Sequence, residues 1–286
     1  MNRIHIDGAQ LAYRDEGQGP AIVFVHGTPS SSAEFAEVIT AFRDSHRCIA
    51  IDHLGFGASD KPMQADDSIA AHRDRLQQVL TRLDVQRYHL VVHDFGGPIA
   101  LPMALDHPER LLSLTLMNTW LWPLQETEPS LRRQKWLMQS AFIEWLYRHW
   151  NMSARVMVKT AWGRHRPLTK EKHARYMGAF PSSSERSGTI AFLKALFDAD
   201  EPAWSAWQRL DAVAGVPTQI IWGMADIITP QTLARWTGLL PAARVVRLEQ
   251  VGHFVADEAP ELVIDALRAF LPQRQLVPGT SGSERP

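Results

Sequence analysis

Tyr88-His89-Leu90-Val91-Val92-His93-Asp94-Phe95-Gly96-Gly97 compresses the architecture of this chain into ten residues. A mostly apolar run of strand-forming residues meets an acidic one, and two glycines lead into a segment, 97–107, of helical character. Such a run reads as a strand buried on both faces, the environment of a central strand in a parallel sheet. Working outward, 21–26, 47–52 and 111–118 have the same character, and 21–26 also stops at a glycine, Gly27. Two short strands, 4–7 and 11–15, flank the Asp7-Gly8 turn, and helical patterns occupy 33–43 and 68–84. Strands alternating with helices predict right-handed βαβ units and an α/β fold with a mostly parallel central sheet flanked by helices.

The alternation stops at Asn118. Residues 119–209 have helical periodicity and hold eight of the ten tryptophans. Within them, 131–150 mixes Arg132, Arg133 and Lys135 with Trp136, Phe142, Trp145 and Leu146, which predicts one amphipathic helix. A helix lying on a membrane surface would share that pattern, but the rest of the chain offers a surface for the apolar face, so packing against it is the expectation. The βα pattern resumes with strand 218–222, helix 230–239, strand 244–248 and helix 259–271. The expected organisation is a core of 1–118 and 210–272, an inserted helical cap of 119–209 over the sheet's carboxyl edge, and a disordered Gly/Ser/Pro-rich tail of 273–286.

In open parallel sheets, reacting groups gather on the turns after the strands' carboxyl ends. Asp94 stands on such a turn, with Gly96 and Gly97 giving room for a sharp bend. Aspartate is also a common helix N-cap, so this turn alone decides little. Two further strand ends add to it: Gly223-Met224-Ala225-Asp226 follows 218–222, and Val251-Gly252-His253-Phe254 follows 244–248. Asp94, Asp226 and His253 thus match a nucleophile–acid–histidine order. His26-Gly27-Thr28-Pro29 ends the central strand 21–26, where a backbone N–H for an oxyanion hole is expected beside the Phe95 amide.

These segments, with Asp52-His53-Leu54-Gly55-Phe56-Gly57-Ala58-Ser59-Asp60-Lys61-Pro62, resemble the haloalkane dehalogenases, the branch of the α/β-hydrolases with an aspartate nucleophile and close to the epoxide hydrolases. The resemblance spans about residues 3–272. It implies an Asp94 nucleophile, a His253 base, an Asp226 acid orienting that base, a covalent alkyl ester and cleavage of a carbon–halogen bond in an apolar substrate, with water and without cofactor or metal. It assigns the 52–62 loop a structural role. Where the family usually places a halide-binding Trp and Asn, this chain has Phe95 and Thr28, so Trp120, Trp122 or Trp162 of the cap would have to supply N–H groups. Epoxide hydrolases use a pair of cap tyrosines, and here Tyr176 and Tyr147 are the ones available. A β-lactone decarboxylase of the same branch, or a non-catalytic ligand-binding protein on this fold, remain as alternatives.

A net charge of −1 over 286 residues leaves no basic footprint for nucleic acid or an anionic membrane. The one H-x-x-x-H pair, His89 and His93, lies in a strand and gives a metal site little support. Cys48, the single cysteine, excludes an internal disulfide. Without an apolar leader at the N-terminus or an apolar run of membrane-spanning length, the expected address is the cytoplasm.

Overall fold

A computed structural model describes residues 1–198, 201–226 and 230–271. The expected tail, 273–286, lies outside them. Eight strands, β1 (Asn2–Ile6), β2 (Ala9–Glu16), β3 (Ala21–Val25), β4 (Arg47–Ile51), β5 (Tyr88–His93), β6 (Leu111–Met117), β7 (Thr218–Gly223) and β8 (Arg244–Leu248), form one sheet in the order β1-β2-β4-β3-β5-β6-β7-β8. The pairs β1·β2 and β2·β4 are antiparallel, and β4 through β8 run parallel. Every residue of β3 and β5 is buried, as continuous apolar runs require when helices cover both faces.

Helices α1 (Ala36–Phe42), α2 (Ile69–Arg82) and α3 (Gly96–Asp106) connect the first strands. In α3 every residue from Gly96 to Leu105 is buried, which anchors the turn at Asp94 to the middle of the core. Between β6 and β7 lie α4 (Pro129–Met138), α5 (Ala141–Trp150), α6 (Val158–Ala161), α7 (Lys170–Gly178) and α8 (Ser187–Phe197), followed by a 3-10 segment over Pro202–Val213. Then come α9 (Pro230–Leu239), α10 (Val255–Glu258) and α11 (Pro260–Phe270).

The single helix expected over 131–150 is two. Ser140 breaks it with an extended backbone, and its side chain accepts from Ile143 N–H as the N-cap of α5. The packing expected of it is also absent in part: α4 has no buried residue, and Trp136, Phe142, Trp145 and Trp150 are exposed. The 52–62 loop is built around Asp52, whose carboxylate accepts from Ser32 and Ala58 N–H at 2.7 Å each. No helix among the described residues is long and apolar enough to cross a membrane.

Candidate active site

After β5 the chain turns through Asp94 at φ +52°, a left-handed conformation in which a non-glycine residue costs of order 1–3 kcal/mol. Its neighbours hold it there. Thr119 Oγ1 donates to the Asp94 carbonyl and Thr28 N–H to Asp94 Oδ2, both at 2.6 Å. A Cβ on Gly27 would stand 2.1 Å from Asp94 Oδ2, and one on Gly96 2.1 Å from the Val25 carbonyl oxygen. Only bare backbone fits on either side of the bend.

The loop after β8 brings His253 against this carboxylate, with Nε2 3.5 Å from Asp94 Oδ1. On the other side of the ring, Nδ1 is 2.8 Å from Asp226 Oδ2, carried by the turn after β7. Three strand ends separated by up to 159 positions therefore meet in one place. Asp94 and His253 are both buried, at 4 % and 6 % exposure.

Residues to which the sequence assigns no role at the site fix this arrangement. Asn118, at the end of β6, donates from Nδ2 to Asp226 Oδ2 at 2.6 Å and to the Gly223 carbonyl at 3.1 Å, while its Oδ1 accepts from Gly223 N–H. Asn118 thus clamps the Asp226 carboxylate. His93 Nε2 donates to the His253 carbonyl at 2.8 Å, and its Nδ1 faces buried Glu34 at 3.0 Å. Glu258 accepts from Gly252 and Gly163 N–H, both at 2.9 Å, tying the histidine loop to the helical insertion. Only the strand position of Asn118 and His93 could have hinted at this; Glu34 and Glu258 carry no local signal.

Burial alone would push the Asp94 carboxyl up. The hydrogen bond and charge of His253, with lesser help from His93 and the Thr28 N–H, outweigh it and hold the group below the ordinary carboxylate value. For His253, burial disfavours the cation, yet Asp226 and then Asp94 overcome it and raise the imidazole well above its usual 6.5. Both shifts favour a carboxylate facing an imidazolium.

The pair sits at a cavity of about 400 Å³ whose walls include Phe95, Trp120, Leu124, Met138, Phe192, Leu193 and Phe197. Such an apolar enclosure with few convergent polar groups is the usual form of a small-molecule site. The model of the α/β hydrolase fold family matches residues 20–260. The chain belongs to the α/β-hydrolase family. Among curated relatives of this hydrolase, a cis-3-alkyl-4-alkyloxetan-2-one decarboxylase from Shewanella oneidensis is 31% identical, over 94% of this chain and 87% of the relative. Haloalkane dehalogenase 2 from Mycobacterium bovis is 30% identical, over 90% of each chain. The likeness places the hydrolase in the haloalkane dehalogenase-like branch. A haloalkane dehalogenase crystal structure from Bradyrhizobium elkani, at 23% identity, superposes with a TM-score of 0.80 over 94% of this chain and 98% of the other, which speaks for the fold.

Of the tryptophans expected to face the hydrolase's cavity, one does. Trp120 lines it, edge-on to Phe95 at 5.1 Å, and its buried Nε1 has no hydrogen-bond partner among the described residues. Trp122 instead donates to Thr127 Oγ1 at 3.2 Å and packs on Trp236. Trp162 donates to the Arg166 carbonyl at 2.7 Å and stacks on Phe254. Neither lines the cavity, and neither has a free N–H. Tyr176 is likewise elsewhere: its hydroxyl donates to Asp257 Oδ2 at 2.9 Å beside a separate recess of about 40 Å³. Tyr147 does reach the cavity wall. Thr28 lines the cavity too, and its Oγ1 is buried without a partner.

Proposed function

We propose that this hydrolase cleaves a carbon–halogen bond in an apolar substrate through a covalent ester on Asp94, with His253 as base and Asp226 as the acid that orients it. The observation that carries the proposal is the Asp94–His253–Asp226 contact chain, 3.5 and 2.8 Å, set in an apolar cavity. Asp94, ionised, attacks the carbon; the C–O bond forms as the carbon–halogen bond breaks, and its electron pair leaves as halide. A water then gives a proton to His253 and attacks Cγ of Asp94. Negative charge develops on Oδ2, where Thr28 N–H already donates. On collapse the departing alkoxide takes the proton from His253 and leaves as the alcohol, and the acid left on residue 94 loses its own proton to regenerate the carboxylate.

The same electrostatics time the two steps. Asp226 first and then Asp94, each by charge and hydrogen bond, hold the proton on His253. Esterification abolishes the Asp94 charge, so the imidazole loses its proton more readily once it is needed as a base. Trp120 Nε1 and Thr28 Oγ1 are buried polar atoms of wall residues without a partner among the described residues, and we assign them to the departing anion in place of the Trp and Asn that the family resemblance implies. Residues 119–209 are proposed to act as the cap that closes over this site, and 1–118 with 210–272 as the core that carries it.

The oxetanone decarboxylase relative favours a second reading, in which a β-lactone meets the same carboxylate. An epoxide is served less well, because Tyr147 reaches the cavity while Tyr176 is committed to Asp257. Replacing His253 by Phe tests all of these. With 1-bromoalkanes, H253F is expected to accumulate one alkyl ester on Asp94, seen as a mass increase on that peptide, as hydrolysis slows by about 10²–10⁴-fold. An adduct with a β-lactone and none with haloalkanes moves the assignment to the second reading. No adduct with haloalkanes, β-lactones or epoxides refutes the ester mechanism and leaves a ligand-binding protein.

A further inference from the structure

The outer face of the helical insertion is unlike the rest of the surface. Seven large apolar residues are exposed among the described residues, and five lie within fifteen positions: Trp136, Leu137, Phe142, Trp145 and Trp150. Trp136 is 77 % exposed and Phe142 63 %. Solitary exposed apolar residues are ordinary; a cluster holding three tryptophans is not. On α5, Phe142, Trp145 and His149 recur at helical spacing opposite buried Ile143 and Tyr147.

Charge distinguishes the partner. Between 129 and 150 stand four cations, Arg132, Arg133, Lys135 and Arg148, against one anion, Glu144, and that anion is already paired with Arg148 and Lys194. The segment carries +3 in a chain whose total is −1. Arg132, Arg133 and Trp136 share one side of α4, and the side turned away from them, Ser130, Leu131, Gln134 and Met138, lines the cavity. The helix is therefore a wall one residue layer thick between the site and the cationic, tryptophan-bearing exterior. Aromatic residues flanked by arginine and lysine are the composition of a surface that seats at an anionic lipid interface.

We propose that the α4–α5 face docks on an anionic lipid surface and that apolar substrate enters the cavity from the lipid past α4. The docking stands on the surface alone; the entry route rests on the function proposed above. The packing surface expected to cover this segment covers only Ile143, Tyr147 and their neighbours, so the reason for setting a membrane surface aside does not hold.

Co-sedimentation of the whole protein with phosphatidylglycerol/phosphatidylcholine vesicles, against pure phosphatidylcholine vesicles, tests the docking. Binding is expected to the anionic vesicles, to fall as salt rises, and to weaken about fivefold for each cation removed by R132Q, R133Q or K135Q. The W136S/F142S/W145S variant, whose changes are all on exposed side chains, is expected to lose vesicle binding while hydrolysing a short, water-soluble haloalkane at the wild-type rate. Equal binding by wild type and variant, or no binding to anionic vesicles, overturns the proposal. Dimerisation in sedimentation velocity that W136S/F142S/W145S abolishes, without vesicle binding, assigns the face to a second copy and overturns it too. The vesicle and sedimentation readouts need no substrate, so vesicle binding and the ester mechanism fail separately.

Discussion

Replacing Trp120 by Phe should make the protein at least as stable and a worse catalyst. In the free protein the indole N–H is buried without an acceptor, whereas the buried indoles of Trp122, Trp162, Trp204 and Trp236 all donate, the last to the Thr119 carbonyl at 2.6 Å. A buried donor left unmade costs about 1–3 kcal/mol, and Phe keeps an aromatic ring beside Phe95 while removing that donor. Against this gain stands the lost volume of the larger ring, about 1 kcal/mol for a small void. The urea midpoint should therefore be unchanged or slightly higher. When halide departs, the same N–H meets a charge, and a hydrogen bond to a charged group contributes about 1.5–3 kcal/mol. W120F should accordingly slow single-turnover alkylation of Asp94 by about ten- to one-hundred-fold. Rapid-quench detection of the ester in an H253F background separates this step from hydrolysis. T28V in the same background removes the second unpartnered group, and the double variant shows whether both serve one anion. If W120F alkylates at the parent rate, the indole takes no part in leaving-group stabilisation; if it unfolds well before the parent, the N–H has a partner in the free protein and the reasoning fails.

Acid should act through buried histidines other than His253. His26 is lowered by burial to about 4, and His53 and His72 are held well below 6.5, also chiefly by burial. The folded state thus binds fewer protons than the unfolded one, so this stability is present above 6.5 and is lost as pH falls below it. His72, both of whose ring nitrogens lack partners, is the one to remove: H72L should flatten the stability–pH slope near pH 5 by about 1.4 kcal/mol per unit, one proton's worth, in urea titrations. An unchanged slope would contradict the assignment. His253 has the opposite sign, its contribution being present below 6.5 and lost as pH rises through its raised value, so the stability difference between wild type and H253F should shrink on the alkaline side. Gly27→Ala drives a methyl group into Asp94 Oδ2, and a displacement of about 1 Å at a reacting atom costs about 10²-fold in kcat. Near-wild-type turnover by G27A would show that the carboxylate does not react from this position.

The alternation of strand and helix, the bend at Asp94 and the chain order Asp94, Asp226, His253 were legible in the sequence because each is locally coded. A strand buried on both faces must be apolar along its length, and a left-handed bend pressed against the next strand needs glycines beside it. Strands β5 and β8 begin and end where the residue pattern places them. What the tertiary structure decided is everything that depends on which way a side chain turns and on what arrives from far along the chain. Asn118 meets Asp226 across 108 positions, and His93 meets His253 across 160. Trp120 and Trp122 are alike in sequence, yet one leaves its buried N–H without a partner and the other spends it on Thr127. The same holds for 131–150: its periodicity announces two faces, but only the packing of its neighbours determines that Trp136 and Trp145 are left outside. Periodicity reports an asymmetry along a helix, and the partner that the asymmetry serves is set by surfaces the segment itself does not encode.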